Sequence, residues 1–308
     1  MPKFLKTILF WFKASRPEFF TGSMMPVFVG AALAYNETGH LLWGYFLLSL
    51  IALMLLHAAA NLANDYYDHV SGNDWVNKEF ARPFTGGSRL IQKGEVEAIH
   101  ILWAALICLV VGALIGAYLA WARGWPILVV GAVGGLTGFF YTAKPLQLGY
   151  RGLGEIFIGL DFGVLPVLGT YYVQVQRFST TAVVASLPVA FLIMAVLWIN
   201  QFQDYAADKA VNKLHWVVRL GRRRASYVYV GMLAAAELSL IFGLLTGLLP
   251  LPAAAVLITV PLAIFAAKTA LQRYDDLPRL IPANAATIPL HLLTGLLLTL
   301  GVVVDRFI

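Results

Sequence analysis

The stretch NLANDYYDHVSGND, residues 61–74, closes a long apolar run and carries Asp65, Asp68 and Asp74 among Asn61, Asn64 and Asn73. A second stretch, WINQFQDYAADKAVNK at 198–213, carries Asn200, Asp204 and Asp208. Asn61, Asp65 and Asp68 are spaced i, i+4, i+7, and Asn200, Asp204 and Asp208 are spaced i, i+4, i+8. Each trio therefore falls on one stripe of a helix. Carboxylates gathered this way repel one another and resist ionisation. They also sit at helix C-termini, where the helix dipole disfavours negative charge. A divalent cation relieves both problems. Hard oxygen ligands with few histidines suit Mg2+, which keeps open positions and bridges carboxylates to phosphate oxygens. Two such stripes facing each other across a cavity would hold a diphosphate between metal ions. One Asp-rich helix end alone is often a solvated cap. A matched pair at equivalent positions argues for a site.

The elements that position these stripes are membrane helices. The chain has 308 residues, of which 60% are hydrophobic and only 12% charged, and its mean hydropathy is +0.76. Soluble domains carry about 25% charged residues. Runs long enough to cross a bilayer lie at 19–36, 43–66, 99–121, 126–143, 153–173, 183–203, 227–247, 251–271 and 284–304. The expected fold is therefore an all-α integral membrane protein with nine transmembrane helices in one bundle, a single domain over residues 1–308. With the N-terminus cytoplasmic, every Lys and Arg except Arg123, Arg177 and Arg306 falls on the inner side, as the positive-inside rule requires. The basic, aromatic segment 1–18, with Lys3, Lys6 and Lys13, reads as an interfacial helix. Two long inner segments, 67–98 and 204–226, read as cytoplasmic caps, since long loops in compact proteins are often lids or binding loops. Both acidic stripes end spans that point to the cytoplasm. The net charge of +6 thus marks a cytoplasmic face, not nucleic-acid binding. The single cysteine, Cys108, precludes an internal disulfide.

With these motifs in place, the sequence resembles the UbiA superfamily of membrane prenyltransferases, through NLANDYYD (61–68) and NQFQDYAAD (200–208). Further stretches resemble the branch that prenylates 1,4-dihydroxy-2-naphthoate in menaquinone biosynthesis. They are ASRPEFFTGSMMPVFVGAALA (14–34), RPFTGGSRLIQKGEV (82–96), YTAKPLQLGYRGLGE (141–155) and LGTYYV (168–173). There are two departures. The family often has an acid eight residues after the motif asparagine, where this chain has Gly72 and places Asp74 two residues later. The family also often reads GKRTLxVRLG after the second motif, where this chain reads NKLHWVVRLG (212–221).

The resemblance implies Mg2+-dependent transfer of an isoprenyl group from an isoprenyl diphosphate to an aromatic acceptor, in the cell membrane with the site toward the cytoplasm. It implies Asp65, Asp68, Asp204 and Asp208 as catalytic metal ligands, with Asn61 and Asn200 as neutral ligands or hydrogen-bond donors. Asn64 joins them as a substrate contact. Developing charge on the leaving diphosphate must be neutralised. The resemblance places Tyr141 and Lys144 near that charge and the reacting carbon, and Arg16, Arg82, Lys209 and Lys213 are further cations. Each of these bases is equally accounted for as a positive-inside loop charge. Aromatic rings stabilise an allylic cation, a role expected of Tyr141. His57 and His291 lie in spans and read as packing partners, whereas His69 adjoins the first motif and could help deprotonate an acceptor. Glu155 and Asp161 follow the Tyr–Lys segment, where an acceptor pocket and structural polar pairs account for them equally well.

The naphthoate is the leading acceptor, with a hydroxybenzoate, a homogentisate-like ring, a porphyrin-type acceptor and a glycerol-phosphate lipid as alternatives. An ion-coupled transporter competes as a class, but transporters place their acids near the midplane on broken helices, and here the acids crowd one face. The single DG…AR…G…D…D stretch of CDP-alcohol phosphotransferases is absent.

Overall fold

The computed structural model describes residues 3–308. Met1, Pro2 and the Lys3 side chain, part of the expected interfacial segment, lie outside the described residues. Among the described residues the regular structure is all helical, with no strand. The helices are α1 (Lys3–Ala14), α2 (Thr21–Thr38), α3 (Trp43–Val70), the single turn α4 (Asn73–Val76), α5 (Ala98–Arg123), α6 (Pro126–Phe139) and α7 (Gly154–Val175). They continue with α8 (Thr180–Ala210), α9 (Trp216–Leu245), α10 (Leu251–Arg273) and α11 (Leu277–Asp305). Seven of them, α3, α5 and α7 to α11, are long and apolar enough to cross a membrane. The other two expected spans, 19–36 and 126–143, coincide with the shorter helices α2 and α6.

The amphipathic α1 exposes Phe4, Leu5, Ile8, Leu9 and Phe12 on one side, while Trp11 packs onto Leu62, Ala63 and Ile101. This is the geometry of a helix lying in an interface. Outward-facing Trp103, Ile107, Leu114 and Trp121 on α5 form an apolar exterior. Inside, α8 to α11 pack around Trp198, Phe202, Tyr229, Leu280 and Leu290. A second cluster joins α2, α7, α8 and α11 through Val29, Val167, Val189 and Leu298. In lipid, packing of backbones at small residues replaces the hydrophobic drive between helices. A Cβ on Gly163 would lie 2.4 Å from Ala190 Cα, and one on Gly30 would lie 2.5 Å from the Val167 carbonyl oxygen. These two contacts hold α7 against α8 and α2.

The inner segments differ from the expected caps. Helix α3 runs on to Val70, and after α4 an irregular stretch reaches Glu97. Residues 204–226 are mostly helix, not loop. Helix α8 continues to Ala210, residues 211–215 form the connection, and α9 starts at Trp216 with a kink at Gly221 (φ 75°). The physical reason is that α8 does not leave the protein where its apolar run ends. Its polar residues Asp204 and Asp208 find partners in Asn73, Asn77, Lys213 and His215, so the helix stays folded past its apolar run. The connection docks on a turn of the chain, with Leu214 N donating to Tyr150 O at 3.0 Å and Trp216 Nε1 to Gly152 O at 2.8 Å.

Candidate active site

The C-terminal ends of α3 and α8 meet at one end of the bundle and line a polar cavity of about 200 Å3. Asn61, Asn64 and Asp68 line it from α3, and Asn200, Asp204 and Asp208 line it from α8. All three members of the second stripe thus face the cavity. The first is shifted by one residue at its centre, with Asn64 facing the cavity in place of Asp65. The buried Asp65 carboxylate instead accepts the Ser88 backbone N–H at 3.1 and 3.2 Å. It thereby anchors the RPFTGGSR loop, whose Phe84, Thr85, Gly86 and Gly87 close over the cavity. Gly87 sits at φ 67°, and a Cβ there would lie 2.7 Å from Asp65 Oδ1. Only glycine combines that backbone with that approach.

The carboxylates that α3, α4 and α8 present to the cavity are all partnered. Lys213, from the 211–215 connection, places its ammonium 3.2 Å from Asp68 Oδ2 and 3.6 Å from Asp208 Oδ1. Burial alone would push its pKa down, but Asp208 and Asp68 outweigh burial and hold it well above the ordinary lysine value. His215 Nδ1 accepts the Val218 N–H, which fixes the ring proton on Nε2, 2.9 Å from Asp208 Oδ2. Asn73 Nδ2 donates to Asp208 Oδ1 at 2.7 Å, and Asn77 Nδ2 donates to Asp204 Oδ1 at 2.6 Å. Asp74 also lines the cavity and accepts from Gln92 Nε2 at 2.8 Å. Burial, then the charges of Asp68 and Asp65, raises its pKa to about 7 against the opposing pull of Arg89 and Lys213. Asn200 is held through its Oδ1, 2.8 Å from Asn284 Nδ2, and Asn61 donates to the Ser15 carbonyl at 2.9 Å.

Among the expected cations, Arg16 and Lys213 line the cavity. Arg16 adopts a left-handed backbone (φ 59°) and lays its guanidinium 4.9 Å from the Phe19 ring centre. Lys144, Lys209 and Arg82 do not line it. Helix α6 ends at Phe139, so Tyr141 and Lys144 fall in the turn that follows it. Tyr141 points inward, and Lys144 is exposed. Lys209 follows Asp208 directly on a helix, about 100° round the axis, and lies outside, 5.8 Å from the Tyr205 ring centre. The exposed Arg82 spends its guanidinium on the Gly87 and Ser88 carbonyls and braces the loop from outside. Tyr141 is clamped against Gly149 and Gly154. Burial, then the Glu155 charge, holds its phenol well above the usual tyrosine range and keeps it neutral.

Several further residues take their place at the site only in three dimensions. Asn73, Asn77, His215 and Tyr150 surround the carboxylates, Tyr150 donating from its hydroxyl to Ser71 Oγ at 3.1 Å. The sequence signal for the first two was their place in a polar run just after α3. His215 stood out because it departs from the family pattern.

The donor set fits Mg2+. It consists of carboxylate and amide oxygens, and Asn73 Oδ1 and Asn77 Oδ1 are buried with no hydrogen-bond partner. Buried polar atoms of that kind need an explanation, such as an ion. Among the described residues no three His, Cys, Asp or Glu side chains converge tightly enough to hold an ion unaided.

An apolar cavity of about 680 Å3 adjoins the polar one, walled by α3, α5, α6 and α7 through residues such as Leu56, Leu109, Gly131, Leu136 and Leu165. A helical membrane bundle with an acidic oxygen-donor site beside an apolar cavity is the architecture of an intramembrane aromatic prenyltransferase. The chain belongs to the UbiA prenyltransferase family, whose model matches residues 23–288.

Its relatives include the 1,4-dihydroxy-2-naphthoate octaprenyltransferase of Escherichia coli (strain K12), 32% identical over 309 residues and covering 96% of each chain. The enzyme of the same name from Bacillus subtilis (strain 168) is 28% identical over 296 residues, covering 95% of this chain and 92% of that protein. In fold, the chain resembles a UbiA homologue from Archaeoglobus fulgidus bound to GPP and Mg2+. The TM-score is 0.68 at 16% identity, covering 96% of this chain and 99% of that one.

Proposed function

We propose that this enzyme transfers an isoprenyl group from an isoprenyl diphosphate to 1,4-dihydroxy-2-naphthoate, a step toward menaquinone, and that it requires Mg2+. One observation carries the reading. The facing carboxylates, with Lys213 between them and two unpartnered amide oxygens beside them, line a cavity that adjoins a large apolar one. A diphosphate ester of a long hydrocarbon matches that division of polarity, and the acceptor follows the names of the relatives.

Asp68, Asp74, Asp204 and Asp208, with the Asn73 and Asn77 amide oxygens, would hold the metal, and a diphosphate would complete its oxygen shell. Bound there, Mg2+ would neutralise negative charge on the departing diphosphate. The C1–O bond of the donor breaks with both electrons leaving on the diphosphate. An electron-rich ring carbon forms the new bond to C1, and the ring regains aromaticity by losing what that carbon carried, as CO2 where it bore the carboxylate or as a proton to water where it bore hydrogen. Arg16 and Lys213 supply fixed positive charge at the leaving group. The neutral Tyr141 presents a ring face to positive charge developing on the allylic carbon. The loop anchored by Asp65 excludes water, which would otherwise capture the cation.

The full bundle we infer has nine spans, α2 and α6 included, with the N-terminus and the site cytoplasmic, on the strength of the Lys and Arg distribution. The test is an acceptor panel. Purified protein with labelled farnesyl or octaprenyl diphosphate should prenylate the naphthoate only with Mg2+ present. Product from hydroxybenzoate or homogentisate alone would overturn the acceptor, and metal-independent turnover would overturn the site.

A further inference from the structure

The polar and apolar cavities share His57, Ala60, Gly138, Asp161 and Phe162 as lining residues. Two of these are ionisable. His57 is accounted for, since its Nδ1 lies 2.6 Å from Ser23 Oγ and its ring packs on Phe162 at 4.6 Å between centres. Asp161 is not accounted for. It lies within α7, about 10 Å along the axis from Gly154 at 1.5 Å per residue, and is only 7% exposed. Its Oδ2 is 2.6 Å from Thr137 Oγ1, but its Oδ1 is buried without a hydrogen-bond partner. The α7 backbone loosens into a π-helical turn over Leu160–Val164 around it, a distortion frequent at functional sites. An ionisable group inside a span is costly and is retained with a partner or a task.

The hydrogen-bond chain occupies Oδ2 and leaves Oδ1 free to accept. Thr137 Oγ1 also lies 2.6 Å from the Val133 carbonyl oxygen. If Asp161 carries a proton on Oδ2, that Oδ2–H donates to Thr137, which donates onward to Val133. If Asp161 is ionised, Thr137 donates to Oδ2. In both cases Oδ1 is a hydrogen-bond acceptor at the junction of the cavities. An isoprenyl chain has no O–H or N–H to offer it. With the diphosphate at the carboxylates and the chain in the apolar cavity, the reacting C1 lies at that junction. The acceptor carbon must come within about 3–3.5 Å of C1.

We propose that Asp161 binds the acceptor, its Oδ1 accepting a hydrogen bond from a ring hydroxyl, and so selects a hydroxylated aromatic ring. The assignment rests on the prenyl-transfer reading above. A site built to hydrogen-bond a hydroxyl rejects an analogue lacking it, because its own polar group is left unpaired.

The test uses the full-length protein in detergent, comparing wild type, Asp161→Leu and Asp161→Asn at saturating donor and varied naphthoate. Asp161→Leu should raise the acceptor KM about 10–100-fold, the range for a lost hydrogen bond to a buried group, with the donor KM within about twofold. Asp161→Asn should recover most of the loss, because an amide keeps an oxygen toward the cavity and an N–H toward Thr137. One of the two monomethyl ethers of the acceptor should be rejected by wild type and no longer discriminated against by Asp161→Leu. An unchanged acceptor KM in Asp161→Leu, or an equal rise in the donor KM, would overturn Asp161 alone. Wild-type protein that turns over no hydroxylated ring would overturn the prenyl-transfer reading and this one together.

Discussion

Lys213 Nζ lies 3.2 Å from Asp68 Oδ2, an ion pair 145 residues apart in sequence that fastens the connection after α8 to the end of α3. The same ammonium faces Asp208 at 3.6 Å. A single cation therefore stands between the two acidic stripes. Lys213→Met should leave the buried carboxylates opposed and remove charge from the leaving-group side. Loss of one preorganised charge partner is worth about 100-fold in kcat, measured with saturating donor and acceptor. A kcat within threefold of wild type would remove Lys213 from the site.

The geometry sets the cations apart. Lys144→Ala and Lys209→Ala should both retain kcat and donor KM within about twofold of wild type, since neither side chain reaches the cavity and surface charges contribute little. A tenfold loss in either would show that the site closes differently with substrate bound.

Asp65 should act through the loop. Asp65→Ala frees the Ser88 N–H, so the loop should open and the buried Arg89 become accessible to trypsin. Asp65→Asn keeps an acceptor oxygen and should protect Arg89 more than Asp65→Ala does. Equal protection in all three proteins would mean that Asp65 does not anchor the loop.

His215 holds Asp208 with a fixed tautomer and caps α9. His215→Ala should lose both contacts, costing about 1 kcal/mol at the cap and about tenfold in kcat. His215→Gln, which can still donate to Asp208, should recover activity but not the cap. Thermal melting and kcat measured together separate the two effects.

Asp74 supplies a pH dependence. Its pKa rises from 3.8 unfolded to about 7 folded, so the folded state prefers the protonated acid. Its contribution to stability is fully present below 3.8 and is lost as pH rises through about 7. Cation binding has the opposite sign, because it needs the carboxylate. Mg2+ affinity, followed calorimetrically in the presence of an unreactive diphosphate analogue, should tighten from pH 6 to pH 8 in wild type. The pH dependence should flatten in Asp74→Asn, and an unaltered slope there would exclude Asp74 as its source.

The sequence by itself determined the class of protein and which polar residues its apolar spans carry to one end. A run of about 20 apolar residues must be helical in a bilayer, because no water is present to satisfy its backbone. Helical periodicity then places Asn61 with Asp68, and Asn200, Asp204 and Asp208 together, on single faces. Both rules are local, so both can be read along the chain. The tertiary structure decided which members of each motif face the cavity and who their partners are. Asn64 rather than Asp65 meets the cavity because the loop carrying Ser88 covers the neighbouring face. Lys213 rather than Lys144 reaches the carboxylates because the chain turns after Phe139 and the 211–215 connection folds back under α8. Asn73 and Asp208 meet from 135 residues apart, and Asp161 gains its place where two cavities join. Those relationships depend on how helices and loops dock, through packing at residues such as Gly163 and Gly87 that carry no charge pattern to read.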